Sequence, residues 1–194
     1  YEIYRCDWSS DVCSSDLATL GWSADGVVVT FVGRLTQIKR PDRLLDIAGK
    51  VTGAEFVIAG EGELAESCKV RAAAEKLPVT FLGWRKDIET LLAASDIAIL
   101  TSDNEGIPLT LIQAAFAGIP IVSTKVGSVS DIVIEGGNGF LLPTDADMLA
   151  KALQELINRA PMRENMGQYG RSHALEHFSL ERMIRDHSDL YRQA

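Results

Sequence analysis

Two short stretches of this sequence hold the residue types from which an anion site is built. Gly33-Arg34-Leu35-Thr36-Gln37-Ile38-Lys39-Arg40 places a guanidinium and an ammonium on one loop. A planar fork and a point charge together suit a diphosphate. Taken alone, the pair is better read as two solvated surface charges, so the loop by itself is weak evidence. Thr101-Ser102-Asp103-Asn104-Glu105-Gly106-Ile107-Pro108-Leu109 sets a carboxylate beside a glycine just ahead of a predicted helix. The unpaired N–H groups around Gly106, Ile107 and Leu109 can hold an anion such as a phosphate. Glu105 then faces a second, less anionic part of the same ligand. The plainer alternative is that Glu105 caps the helix. Neither stretch is a Gly-x-Gly-x-x-Gly fingerprint or a P-loop, and the missing fingerprint disfavours a dehydrogenase.

Other reactive side chains read as structural. His173 and His177 have i, i+4 metal-ligand spacing, but no acidic motif accompanies them, so they read as a solvated helix face. Cys6, Cys13 and Cys68 match no zinc spacing. Their small, odd number fits a reduced, cytoplasmic setting. Cys68 reads as a small helix residue.

The elements that position the two loops alternate. Apolar, β-branched runs predict strands at Val27–Val32, Glu55–Ala59, Val79–Leu82, Ile97–Leu100, Pro120–Ser123 and Phe140–Leu142. Helical spacing predicts helices from Pro41 to about Val51, Leu64–Lys76, Asp87–Ala94 with Asp87 as cap, and Leu109–Ala117. The tail, Ala146–Gln193, reads as three helices broken near Pro161 and Phe178. Alternation of this kind predicts an α/β fold, a Rossmann-like parallel sheet with helices on both faces and a helical C-terminal tail. Ligands in such folds bind at the carboxyl ends of the strands. That selects five loops: 33–40, 60–63, 83–87, 101–108 and 123–130.

Composition narrows the class. The 194 residues are 46% hydrophobic and 24% charged, with a formal net charge of −8. The chain can bury a core, and its charge argues against a nucleic-acid binder working by bulk charge while leaving a local basic site open. No apolar run approaches the roughly 18 residues of a spanning helix, and no signal peptide is expected. Residues 1–22 differ from the rest: Cys6-Asp7-Trp8-Ser9-Ser10-Asp11-Val12-Cys13-Ser14-Ser15-Asp16-Leu17 repeats Ser-Ser-Asp and has no helical or strand period. This segment is either an irregular leader or the translated remnant of a sequencing adapter. Residues 23–194 form the expected domain.

The ordered motifs also resemble a known family. Gly33-Arg34-Leu35 to Lys39, Gly60-Glu61-Gly62, Phe81-Leu82-Gly83, Ser95-Asp96, and Glu105-Gly106-Ile107-Pro108 through Ala114–Ser123 to Val126-Gly127 resemble the C-terminal half of a GT-B glycosyltransferase of the retaining family 4 group. The resemblance covers about residues 25–192. It implies a nucleotide-sugar donor site, with a UDP- or GDP-linked sugar transferred to an acceptor hydroxyl and no metal or other cofactor. In it, Arg34 and Lys39 fall on the diphosphate-binding pair. Glu105 falls on the first glutamate of a two-glutamate motif, facing the donor sugar. Ile107, Pro108 and Leu109 fall where helix-terminal backbone helps hold the phosphates. Gly83, Trp84 and Arg85 fall where the base is held, although Trp84 equally suits a partly buried packing role. The second glutamate is replaced by Gln113, which keeps an acceptor oxygen for the ribose and loses the charge.

The resemblance further implies that an acceptor glycan, lipid or other hydroxyl compound binds a missing N-terminal domain. The last helix would then expose apolar surface, and this chain alone would not turn over. Membrane contact, including a peripheral position at the inner membrane face, is left open, and no nucleic-acid partner is expected. Two rivals stand beside this reading: a non-catalytic nucleotide-binding module or inactive transferase-like subunit, and a sugar-nucleotide epimerase.

Overall fold

The computed structural model describes residues 26–193. The leader segment, residues 1–22, lies outside the described residues. Val27–Val32 forms strand β1, and the remaining strands are β2 (Ala54–Ala59), β3 (Val79–Gly83), β4 (Ile97–Leu100), β5 (Ile121–Thr124) and β6 (Gly139–Leu142). Their order in the sheet is β3-β2-β1-β4-β5-β6, and every pairing is parallel. The chain therefore builds outward from β1 through β3, then returns to the other side of β1. The connections leaving β1 and β4 run to opposite sides of the sheet order, which places a crevice at the carboxyl ends of these two strands.

The helices are α1 (Pro41–Ala48), α2 (Ala65–Ala74), α3 (Ile88–Ala93), α4 (Leu109–Ala117), α5 (Ala146–Asn158), α6 (Ala160–His177) and α7 (Leu180–Gln193), with 3-10 turns at Gln37–Lys39 and Gly127–Asp131. Both sheet faces are covered. On β4, Ile97 and Ile99 pack with Leu44, Leu45 and Ile47 of α1 and Leu149, Leu153 and Leu156 of α5. Ala98 and Leu100 point the other way, to Leu111, Ala114 and Ala115 of α4. The strand's period of two thus buries alternate residues on opposite faces, which is why it reads as a continuous apolar run.

Several local details differ from the sequence expectation: strand ends shift by a residue, and α2 spans Ala65–Ala74 instead of Leu64–Lys76, with Lys76 in the left-handed region at φ 54°. Helix α1 stops at Ala48, not near Val51. The Gly49 and Lys50 N–H groups turn back to the Leu45 and Ile47 carbonyls at 3.0 and 2.9 Å, and Val51 enters the core from outside the helix. The apolar spacing therefore outlasts the helix. Asp87 occupies the start of α3 without capping it, because its carboxylate is taken by Arg85. The 3-10 turn at Gly127–Asp131 falls at the end of the expected 123–130 loop, where the sequence carries no helical period. The tail matches its reading: Arg159 separates α5 from α6, Pro161 sits in the first turn of α6, and Phe178 and Ser179 separate α6 from α7. On α7, Leu180, Met183, Ile184 and Tyr191 are all exposed, which is the apolar surface expected of this helix.

Candidate functional site

The loop after β1 is held from below. Leu35 is fully buried, and its N–H donates to the Glu61 carbonyl at 2.9 Å. Gly60 and Gly62 allow the 60–62 loop to lie directly against it. A Cβ on Gly60 would fall 2.0 Å from the Gly33 oxygen, and one on Gly62 2.4 Å from the Leu35 oxygen. The Gly-x-Gly spacing is thus a steric requirement of two backbones in contact. The stem of Lys39 passes over Gly33 and carries its ammonium toward β4.

The loop after β4 meets it. Lys39 Nζ lies 2.5 Å from Glu105 Oε1, and Ser102 Oγ donates to the same oxygen at 2.5 Å. The Glu105 side chain is 8% exposed and that of Lys39 20%. Both bonds fall on Oε1, so Oε2 is the open acceptor among the described residues. The backbone of Glu105 rests on Gly127, where an added Cβ would fall 1.7 Å from the Glu105 oxygen. Thr124 Oγ1 donates to the Ser102 carbonyl at 2.7 Å. Glu105 is therefore oriented by three loops and does not cap α4.

Helix α4 starts at Leu109 with Pro108 before it and no side-chain cap. Its first N–H groups and the positive end of its dipole face the same crevice end of the sheet. Pro108 is buried, whereas Gly106, Ile107, Leu109 and Gln113 are exposed. Arg34 is exposed and has no side-chain partner among the described residues. The structure thus joins Lys39 directly to Glu105 and leaves Arg34 reaching from the same loop into solvent.

The segment expected to hold a base comes from β3. Gly83 (φ 67°) closes the strand and its carbonyl accepts from the Gly60 N–H at 2.7 Å. Trp84 is 64% exposed, with Lys86 Nζ 6.0 Å from its ring centroid. Arg85 Nε donates to Asp87 Oδ1 at 2.9 Å. That guanidinium holds the Asp87 carboxyl below the usual carboxylate range.

Four contributors beside the site were not assigned a role from sequence. Thr101 Oγ1 lies 3.0 Å from the Lys39 carbonyl and 3.1 Å from that of Arg40. Ser102 aims Glu105. Asp103 accepts from Arg43 Nη2 at 2.7 Å and Arg40 Nη1 at 3.0 Å. Burial alone would raise the Asp103 carboxyl, but these bonds hold it below its ordinary range. The sequence signal for Arg43 is its spacing: it shares a helix face with Ile47, four residues on, which is core.

The remaining reactive groups stay apart from this site. The His173 and His177 rings lie 4.3 Å apart, and Arg182 Nη1 donates to His177 Nδ1 at 2.7 Å. Cys68 is buried, and burial pushes its thiol up. Among the described residues, no three His, Cys, Asp or Glu side chains group to hold a metal, and no helix is long and apolar enough to cross a membrane.

Comparison with known proteins follows the same lines. Residues 16–173 match the family described as glycosyl transferases group 1. The chain belongs to that family of glycosyltransferases. It is 25% identical over 179 residues to the N-acetyl-alpha-D-glucosaminyl L-malate synthase of Bacillus anthracis, covering 88% of this chain and 46% of that protein. It is 32% identical over 168 residues to the D-inositol 3-phosphate glycosyltransferase of Mycobacterium avium, covering 81% of this chain and 40% of that protein. The chain thus spans less than half the length of these relatives. The crystal structure of Anabaena Alr3699/HepE in complex with UDP and glucose superposes with a TM-score of 0.89 at 23% identity, over 96% of this chain and 53% of that one. The fold is the Rossmann-like half of a GT-B architecture.

Proposed function

We propose that this chain is the donor-binding half of a retaining family 4 glycosyltransferase, which binds a nucleoside-diphosphate sugar and, joined to an N-terminal half, transfers the sugar to an acceptor hydroxyl. The observation that carries this reading is the Lys39–Glu105 pair at the β1/β4 crevice, beside an uncapped helix start and the unpartnered Arg34. Arg34, Lys39 and the backbone at Ile107, Pro108 and Leu109 hold the diphosphate. Glu105 Oε2 faces the sugar, Gln113 the ribose, and Gly83, Trp84 and Arg85 the base.

In the reaction, the bond between the sugar and the diphosphate breaks and negative charge grows on the departing phosphate oxygen. Preorganised cations and helix N–H groups stabilise such charge without reorganising. Arg34, Lys39 and the start of α4 are placed for that role. The acceptor and its hydroxyl bind in the cleft formed with the other half. The Anabaena relative holds UDP, which makes a uridine nucleotide the first ligand to try.

Calorimetric titration of the chain with UDP, GDP and ADP tests the reading. Selective binding of one nucleotide, weakened about tenfold or more by Arg34→Ala or Lys39→Ala, is the expected result. Binding that neither substitution alters would contradict the placement of the diphosphate. Gln113 favours one second reading, a nucleotide-binding module without catalysis. That module would bind the nucleotide yet leave the donor sugar untransferred when supplied with an N-terminal half and acceptor.

A further inference from the structure

Arg43 is a guanidinium on the buried face of α1, only 6% exposed. Its Nη1 donates to the Thr101 carbonyl at 2.5 Å and its Nη2 to Asp103 Oδ1 at 2.7 Å. The opposite loop returns the grip. The Thr101 hydroxyl is shared between the Lys39 and Arg40 carbonyls, and the Asp103 N–H donates to the Ile38 carbonyl at 2.9 Å. Arg40, in the left-handed region at φ 52°, adds a bond from Nη1 to Asp103 Oδ2 at 3.0 Å. These contacts tie the backbone on both sides of Lys39 to the strand exit that leads into Glu105. Arg43 bonds neither the ammonium of Lys39 nor the carboxylate of Glu105.

An ion pair between a buried guanidinium and a half-exposed carboxylate is weak as a source of stability, because desolvation of the one and solvent screening of the other offset its attraction. An apolar residue at position 43 would serve the core at least as well. What the guanidinium adds is geometry: two donors in a fixed fork, aimed at one carbonyl and one carboxylate of the same loop.

We propose that Arg43 is a positioning residue for the anion site: with Asp103 it fixes the 33–40 loop against the 101–108 loop, so that Lys39 meets Glu105 and both face one ligand. The identity of that ligand rests on the nucleotide-sugar reading above, whereas the positioning does not.

The test has two arms. In the first, lysines are acetylated with an N-hydroxysuccinimide ester and quantified by mass spectrometry. Lys69, on α2 and about half exposed, is the internal reference. Arg43→Met is expected to raise the Lys39-to-Lys69 labelling ratio about threefold or more by letting the 33–40 loop, and Lys39 with it, move out of the anion site, with Arg43→Lys between it and the unaltered chain. Asp103→Asn changes a half-exposed side chain, gives the same direction, and serves if Arg43→Met does not fold. An unchanged ratio in the folded variants overturns the proposal.

In the second arm, Arg43→Met weakens UDP or GDP binding about tenfold when Lys39 is present and less than about twofold in a Lys39→Ala background. Equal losses in both backgrounds mean a merely structural role and overturn it. If the labelling ratio rises while the unaltered chain binds neither nucleotide, the positioning stands and the nucleotide reading fails.

Discussion

Lys39 Nζ and Glu105 Oε1 meet at 2.5 Å although 66 residues separate them in sequence. The contact closes the gap between β1 and β4, the two strands at which the sheet order reverses. It also means that each charge already has a partner before any ligand arrives. A diphosphate entering the crevice must share Lys39 with Glu105, and a sugar must approach a carboxylate whose Oε1 is occupied and whose Oε2 is open.

Removing the competing carboxylate charge therefore strengthens diphosphate binding. Glu105→Gln keeps an oxygen for Ser102 and releases Lys39. The pair is partly screened, so an effect of about 1 kcal/mol, or roughly fivefold in affinity for the nucleoside diphosphate, is expected. Calorimetry of the two proteins measures it. A loss of affinity would show that Glu105 organises the phosphate site instead of competing for it.

At position 113 the opposite change is informative. A hydrogen bond to a charged group contributes roughly 1.5–3 kcal/mol and a neutral one roughly 0.5–1.5. Gln113→Glu is expected to preserve the donor site and to tighten nucleotide binding by on the order of 1 kcal/mol through the ribose hydroxyls. A drop of more than about tenfold, roughly 1.4 kcal/mol, would contradict the placement of Gln113.

The site also depends on a glycine that contacts no ligand in this reading. Gly127 has φ 52°, and a Cβ there would strike the Glu105 carbonyl. Gly127→Ala must displace either the 127–131 turn or Glu105. A destabilisation of about 1–3 kcal/mol is expected, with nucleotide affinity falling alongside it. Thermal unfolding and titration of the same sample check both, and unchanged stability would mean that the two backbones separate without cost.

Acid sensitivity follows from Asp103. Its carboxyl is held below the ordinary range in the folded chain. A depressed carboxylate contributes stability above its unfolded value, near pH 4, and loses it as pH falls through the lower folded value. Asp42, bonded by Arg40, and Asp87, bonded by Arg85, act in the same direction. Urea midpoints measured from pH 6 down to pH 3 are expected to fall less steeply for Asp103→Asn than for the unaltered chain. Parallel curves would show that Asp103 titrates alike in both states.

The sheet itself was legible because its strands are buried on both faces, so each reads as an apolar run. Strand order was not legible, since no residue in β4 states that it pairs with β1. The rule that ligands sit at strand carboxyl ends selected five loops, and only the fold shows that those after β1 and β4 converge. Lys39 and Glu105 were identified from residue type, position and family resemblance, but their direct pairing was not. Asp87 shows the limit of local rules: a good capping residue was taken by Arg85, two positions away. Arg43 was legible in principle as a charge on an apolar face. Its partners, Thr101 and Asp103, lie 58 and 60 residues away.

The most direct test of the donor-site assignment is a nuclear magnetic resonance titration of the isotopically labelled chain with UDP and GDP. Amide shifts at Gly33–Lys39 and from Ser102 to Thr110, saturating together and suppressed by Lys39→Ala, are the predicted result. Saturable shifts confined to another surface, or none at millimolar nucleotide, would contradict the placement of the donor at the β1/β4 crevice.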